Sequence, residues 1–337
     1  MSARTRMAWL AAITVVVLGA AVIYALWSYN QYQLRQQRAS GVALSTDAAW
    51  PSGPRIIFRN TAVGSGYGHV AMVSLEEPAG PRTITEAACD RVYAAAGTQM
   101  CLRTNAGIVT TFEAARYDSQ WREQQDYPLP GNPSRVRVSP DGKLFATTVF
   151  ITGHAYAPAS FSTATVIAKT AGGDYGNLED FPLIVDGARI APVDRNVWGV
   201  TFTKDQNTFY ATAASGQKTW LVQGDLAKRT LTSLRENAEC PSLSPDGTKI
   251  AFKKNLKPGP TPFWNLAVLD LDSNTETLLA QPRSIDDQAE WLDGSTLLYG
   301  LPREGTAGDE DVWSVRIESG AVPELLIEHA WSPSVLR

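Results

Sequence analysis

Two hydrophobic patterns divide the chain. Between Met7 and Trp27 the residues AWLAAITVVVLGAAVIYALW run apolar without a break and without a charge. Roughly 20 such residues carry a helix across a bilayer, so this stretch predicts one transmembrane helix. Beyond residue 54 the pattern changes to period two. KLFATTVF from Lys143 and TKIAFKKN from Thr248 alternate, which is the signal of strands whose side chains point to opposite faces. No long helical period interrupts these runs, and Gly, Pro and Asp recur between them.

The strands also repeat. SRVRVSPDGKLFATTV and CPSLSPDGTKIAFKKN share one grammar, an alternating stretch, a turn and a second alternating stretch. Ser-Pro-Asp-Gly suits a tight turn because Pro fixes φ, Asp bonds its own backbone and Gly takes the left-handed conformation. The predicted structural turns are therefore Asp141-Gly142 and Asp246-Gly247. Looser copies keep Asp293-Gly294, or keep Asp205 with Gln206 in place of Gly. The units start near residues 89, 135, 198, 240 and 288, about 40 to 50 residues apart except for one gap near 63. That is the length of a four-stranded propeller blade.

The ends complete the count. HAWSPSVLR at the C-terminus reads as the strand-plus-turn opening of a unit, and PRIIFRN, GHVAMVSL and PRTIT at the start read as a unit lacking its first strand. Joined, they make one blade, and with five others they make six. The expectation is an all-β fold, a β-propeller of six four-stranded blades, closed by a shared blade that removes free sheet edges.

At Ser244-Pro245-Asp246-Gly247 followed by Ile250-Ala251-Phe252, and at Ser139-Pro140-Asp141-Gly142 with Leu144-Phe145-Ala146, the sequence resembles the TolB-type β-propeller repeat. The resemblance covers residues 54 to 337 as architecture and about two blades as motif. It implies an extracytoplasmic, non-catalytic binding scaffold in bacteria. TolB carries an additional N-terminal domain where this chain has an apolar segment, so a role in a Tol-like system does not carry over.

Four segments follow: 1–6 a short cytoplasmic tail, 7–27 a signal anchor, 28–53 a linker without clear periodicity, and 54–337 the propeller. No A-x-A cleavage site follows the apolar run and no Cys lies near it, which favours an uncleaved anchor. The flanking positive charges, Arg4 and Arg6 against Arg35 and Arg38, bias the orientation weakly. The short tail places the propeller outside the cytoplasm, a single-pass cell-membrane arrangement.

Composition excludes little. The chain has 337 residues, 44% hydrophobic and 19% charged, with a formal charge of −4, and no basic stripe, so no nucleic-acid partner is expected. Cys89, Cys101 and Cys240 lack metal-site spacing. Cys89 and Cys101 frame a hairpin around Gly97, where antiparallel partners would meet as a disulfide or stand as two half-buried thiols. Cys240 is left free and buried. No G-x-S-x-G or H-E-x-x-H occurs. Asp270-x-Asp272-x-Asn274 reads as a turn rather than a calcium loop, and Asp309-Glu310-Asp311 as a solvated patch. No catalytic residue, metal or cofactor is assigned. A hydrolase or lyase at the channel mouth is the alternative.

The working face follows from loop length. A–B turns are short and B–C loops long, so the long loops gather on one face with Tyr67, His69, His154, Tyr156, Phe263 and Trp264. These offer a recognition surface for a protein or envelope ligand.

Overall fold

The computed structural model describes residues 2–37, 40–45, 53–151, 162–279 and 281–337. They form two units, Met1–Gly41 with Ala62–Tyr67, and Val42–Thr61 with Gly68–Arg337.

The first unit holds the helix Ala3–Gln37. Its stretch Arg4–Gln31 is long and apolar enough to cross a membrane, with a mean hydropathy of 2.4, and a signal sequence would pass the same test. Residues 28 to 37, assigned by sequence to an irregular linker, are helical. SYNQYQLRQQ contains no Gly or Pro, and adding such residues to a helix already nucleated costs little.

The second unit is a ring of six sheets. Strands are lettered A to D from the channel outward. Blade 1 is Ala330–Leu336, Arg55–Asn60, His69–Ser74 and Thr83–Ala88; blade 2 is Arg91–Ala95, Thr98–Asn105, Thr111–Tyr117 and Glu123–Leu129. Blade 3 is Asn132–Val138, Leu144–Ile151, Ser162–Lys169 and Asp174–Asn177; blade 4 is Asn196–Phe202, Thr208–Ser215, Lys218–Asp225 and Thr230–Glu236. Blade 5 is Glu239–Leu243, Lys249–Asn255, Trp264–Asp270 and Glu276–Leu278; blade 6 is Glu290–Trp291, Thr296–Pro302, Glu310–Arg316 and Glu324–Ile327. The C-terminal strand pairs with Arg55–Asn60 and closes the ring. Its Ser332-Pro333 is not the expected turn. No Asp-Gly follows, and the pair lies inside the strand as a bulge, with Ser332 at φ 56° and a register shift between Ile57 and Arg59 opposite.

The long gap between units also has a cause. After blade 3 come a short helix, Leu178–Asp180, and a hairpin, Leu183–Val185 with Ala188–Ile190. Leu183 pairs in parallel with Leu231 of blade 4. That sheet therefore has six strands, not the four expected of every blade.

Burial explains why alternation fades toward the axis. Strands B are sandwiched between neighbouring blades and buried on both faces, as in Thr208–Ser215, whereas the outer strand Thr230–Glu236 alternates. Six apolar clusters fill the spaces between consecutive blades. Strands A of adjacent blades share no ladder, so hydroxyls satisfy some of their inward backbone groups. Ser334 Oγ bonds both Ala94 N (3.0 Å) and Ala94 O (3.1 Å), and Thr212 Oγ1 accepts from Cys240 N at 2.7 Å. These buried Ser and Thr residues are structural partners rather than packing faults.

The repeated turns use one hydrogen-bond set. Asp141 Oδ1 accepts from Ser139 Oγ (2.7 Å) and Lys143 N (3.1 Å), and Gly142 sits at φ 73°. Asp246 accepts from Ser244 Oγ and Thr248 N, with Gly247 at φ 81°. In the degenerate copy Asp205 accepts from Asn207 N at 2.9 Å, and Gln206 occupies the left-handed position at φ 60°. Gly294 breaks the rule. Its φ is not positive, and a Cβ there would meet nothing within 4 Å. Asp270 accepts from Ser273 N and Oγ, which makes its segment a turn.

Cys89 and Cys101 form a disulfide with Cα atoms 5.4 Å apart. They are not direct cross-strand partners, because the register sets Val92 opposite Cys101. Cys89 precedes the strand, so the bond ties the crossover from blade 1 to strand B of blade 2. Cys240 is free and buried.

Candidate functional site

In a meander blade the A–B and C–D turns share one face, and the B–C loops and D–A crossovers share the other. The loops 61–68, 256–263 and 303–309 are B–C loops, but the C–D turns 75–82 and 317–323 are as long on the other face, and the B–C loop of blade 4 is only 216–217. His69 lies on blade 1 and Trp264 on blade 5, with blade 6 between them. His69 Nδ1 contacts Thr85 O at 2.9 Å. Trp264 donates Nε1–H to Glu239 Oε1 at 3.1 Å, and Lys253 Nζ lies 4.7 Å from its ring. Phe263 and Tyr67 are half-buried. His154 and Tyr156 lie outside the described residues.

The acidic patch is not solvated as expected. Asp309 and Asp311 are each only 7% exposed. Asp309 accepts from Thr61 Oγ1 (3.0 Å) and faces His329 Nδ1 (2.8 Å), while Arg303 Nε lies 3.3 Å from Asp311. The blade 6 loop folds its carboxylates onto the closing crossover, where cations and hydroxyls replace water. Among the described residues no group of three or more His, Cys, Asp or Glu is placed to hold a metal.

The concave site lies elsewhere, in the channel at the short-turn face. A cavity of about 550 Å³ is lined by all six A strands at the ends that enter the A–B turns. Its floor is Tyr93, Arg137 and Glu290. Pro140, Lys204, Pro245, Asp246 and Arg337 line it nearer the turns. Arg137 Nη1 lies 3.5 Å from Glu290 Oε2, so the pair bridges the channel from blade 3 to blade 6, with both side chains below a tenth exposed. The Arg137 guanidinium also donates to Ala289 O (2.7 Å) and stacks 4.4 Å from the Tyr93 ring centroid. Tyr93 Oη donates to Glu290 Oε1 at 3.3 Å. Burial pushes the Glu290 carboxyl above the usual range, and Arg137 only partly offsets it. Burial and the neighbouring Glu290 push the Tyr93 phenol up as well.

Below this floor the channel is plugged. The segment entering blade 6 sends a side chain or carbonyl to other blades in turn: Asp287 to Arg91 (3.3 Å), Asp286 Oδ1 to Lys253 Nζ (2.5 Å), and Gln288 Nε2 to Pro241 O (2.7 Å) and Val200 O (3.2 Å). The cavity is therefore blind. Close strand approach narrows the centre too, since a Cβ on Gly199 would lie 2.7 Å from Cys240 Cα.

Sequence reasoning missed this site although a signal was present. Arg137, Thr201, Ser242 and Glu290 each stand two residues before the residue whose N–H closes the A–B turn, namely Ser139, Thr203, Ser244 and Leu292. Superposing these four units on their turns shows an Arg in blade 3 and a Glu in blade 6 where blades 4 and 5 place small hydroxyls. That contrast marks an axial charge pair.

No family model matches the sequence, and no curated protein matches it. Solved structures do. TolB from Acinetobacter baumannii matches with a TM-score of 0.59 at 16% identity over 84% of this chain. The chain spans 66% of that protein's length. A putative TolB from Agrobacterium tumefaciens matches with a TM-score of 0.50 at 13% identity, covering 83% of this chain and 90% of that one. A chain of a nidogen/laminin complex matches with a TM-score of 0.53 at 9% identity, over 84% and 98% of the two chains. Identities this low speak to architecture, and architecture does not fix activity. By its blade count and its shared closing blade the chain is a six-bladed β-propeller, similar in architecture to these TolB structures.

Proposed function

We propose that this protein is a membrane-tethered, extracytoplasmic binding propeller that captures a protein or envelope ligand in the blind cavity of its short-turn face. The observation that carries this reading is the cavity itself. All six blades contribute to it, and its floor is a cross-channel ion pair. Concave sites on rigid scaffolds with a few convergent polar groups are where ligands bind. The helix Ala3–Gln37 supplies the tether. The likeness to TolB proteins supports a scaffold role.

The test is in-cell photo-crosslinking from Lys204 and Pro245, both exposed where they line the cavity. Discrete adducts from these positions that vanish when Ala95→Trp fills the mouth support cavity capture. Adducts indifferent to Ala95→Trp overturn it. A chemical reading, hydrolase or lyase, draws on the raised Glu290 carboxyl beside Tyr93, the arrangement a general acid needs. The two readings separate on the fate of the captured molecule. A binding site returns it intact from wild type and from Glu290→Gln. An enzyme returns it changed from wild type and intact from the variant.

A further inference from the structure

The cavity of the short-turn face is blind, and that limits what can fill it. Its floor of Tyr93, Arg137 and Glu290, with Asp286, Asp287 and Gln288 plugging the channel beneath, stops anything that enters from the turns. A segment with chain on both sides would have to enter and leave as a doubled loop, whereas a free end needs the width of one chain. At about 550 Å³ the cavity has the size that holds a drug-sized group, a short extended end rather than a domain.

The lining selects the chemistry of that end. Four of the five hydroxyls that line the cavity are committed within the propeller: Tyr93 to Glu290, Thr201 to Leu243 N, Thr203 to Asp205 and Ser244 to Asp246. A polyhydroxylated ligand therefore finds few open partners, and the walls from Phe202, Leu243 and Trp291 are apolar. The acids are committed too. Asp246 accepts from Ser244 and Thr248 in its own turn, and Glu290 faces Arg137, Tyr93 Oη and Val335 N. The cations are freer. Lys204 is exposed and makes no ion pair among the described residues. Arg137 spends Nη2 on Ala289 O (2.7 Å), while Nη1 stands 3.5 Å from Glu290 Oε2, longer than a hydrogen bond.

We propose that the captured molecule is a protein that enters by its C-terminus, its terminal carboxylate passing Lys204 near the turns and accepting from Arg137 Nη1 at the floor. The proposal rests on the cavity-capture reading given above. A carboxylate matches a guanidinium with an open donor, whereas an amino terminus or a lysine would bring a further cation to Arg137 and Lys204. Glu290 decides the pH dependence. Arg137 from blade 3, Tyr93 from blade 2 and Arg337 from the closing strand are the charged or titratable groups that act on it, and burial still leaves its carboxyl above the usual range. An incoming carboxylate raises it further. Once protonated, Glu290 donates to the ligand instead of repelling it. Capture of a C-terminus thus takes up a proton, and it tightens as pH falls from 8 toward 6.

Photo-crosslinking from Pro245 in cells, with the adduct mapped by mass spectrometry, reads the orientation. The terminal peptide of the crosslinked protein, made once as the free acid and once as the amide, is then titrated against the detergent-solubilised full chain by fluorescence anisotropy. The expected adduct lies in the last few residues of the partner, and the free acid binds about tenfold tighter than the amide, the worth of one charge-assisted hydrogen bond. Glu290→Gln, which stands in for the protonated acid, binds the free acid several-fold tighter at pH 8 and loses the pH dependence. Lys204→Glu, at an exposed position, weakens the free acid several-fold and leaves the amide unchanged. An adduct at an internal segment, an adduct that is not protein, or equal affinity for acid and amide overturns the C-terminal entry while capture sensitive to Ala95→Trp stands. Absence of any adduct sensitive to Ala95→Trp refutes the cavity reading and this inference with it.

Discussion

Removing Arg137 tests whether the cavity floor is an ion pair held against its own desolvation. Arg137→Ala deletes the guanidinium 3.5 Å from Glu290 Oε2, its hydrogen bond to Ala289 O at 2.7 Å and its stacking on Tyr93. Glu290 would keep only the long contacts from Tyr93 Oη (3.3 Å) and Val335 N (3.4 Å). Breaking one side of a buried pair costs about 3–5 kcal/mol, and with exposures of 8% and 7% little solvent screening discounts it. The carboxylate has an escape, however, because it can take a proton. Its folded pKa is already raised by burial, and losing Arg137 raises it further. A folded-state pKa above the unfolded value, about 4.3 for Glu, means stability is greatest below that value. It then falls as pH rises toward the folded pKa, by at most about 1.4 kcal/mol per pH unit. The penalty of Arg137→Ala is therefore about 1–2 kcal/mol near pH 4, from lost packing and hydrogen bonding alone, and reaches the full range at pH 8. Urea unfolding of the detergent-solubilised chain at both pH values measures it. Arg137→Met with Glu290→Gln is expected to recover most of the loss at pH 8. An equal penalty at both pH values, or a double variant as unstable as Arg137→Ala, would refute the reasoning.

Three further outcomes follow from local geometry. Alkylation of the unreduced, denatured protein labels Cys240 only, and reducing the Cys89–Cys101 bond lowers stability by about 2–3 kcal/mol; mass spectrometry and urea unfolding check these. Hydrogen bonds from Ser244 and Thr248 hold the Asp246 carboxyl down to about 2, so its contribution is present above the unfolded value of about 3.9 and is lost as pH falls toward 2; Ser244→Ala shifts that titration upward in a carboxyl-detected NMR series. A Cβ on Gly224 would lie 2.0 Å from the Phe209 ring, so Gly224→Ala destabilises by about 1–3 kcal/mol, whereas Gly294→Ala, with open space and ordinary φ, is neutral or slightly stabilising in thermal unfolding.

Strand starts, blade count and ring closure were legible because each rests on local chemistry that recurs. The Ser-Pro-Asp-Gly turns announce themselves, and the orphan C-terminal strand can pair only with the incomplete first unit. The hairpin Leu183–Ile190 carried its own signal in Asp186-Gly187, at φ 50° and 78°, which the repeat reading did not use; its parallel pairing with Leu231 of blade 4 was not legible, because it joins residues distant in the chain. Nor was the burial of Asp309 and Asp311, because their compensation comes from Thr61 and His329, distant in sequence. The cavity escaped for a related reason. Arg137 and Glu290 are 153 positions apart in the chain, and each looks like an ordinary charge until the ring brings opposite blades face to face. Aromatics on long loops drew attention instead, and two of those described, His69 and Trp264, are engaged by their own surroundings.

Arg82 has two attachments. Its backbone pairs with the chain just before the propeller, Arg82 N to Ala43 O (3.0 Å) and Ser45 N to Arg82 O (2.9 Å). Its guanidinium donates to Asn60 Oδ1, His329 O and Glu328 O, which flank the junction of the first and last strands. A pull arriving along the chain from the N-terminus meets this clamp before it reaches Arg55–Asn60, the strand whose backbone pairing with the C-terminal strand keeps the ring closed. Arg82 thus works as strain relief does where a cable enters a plug: load is taken up on blade 1, and the closing ladder is spared the peeling force that would open it one hydrogen bond at a time.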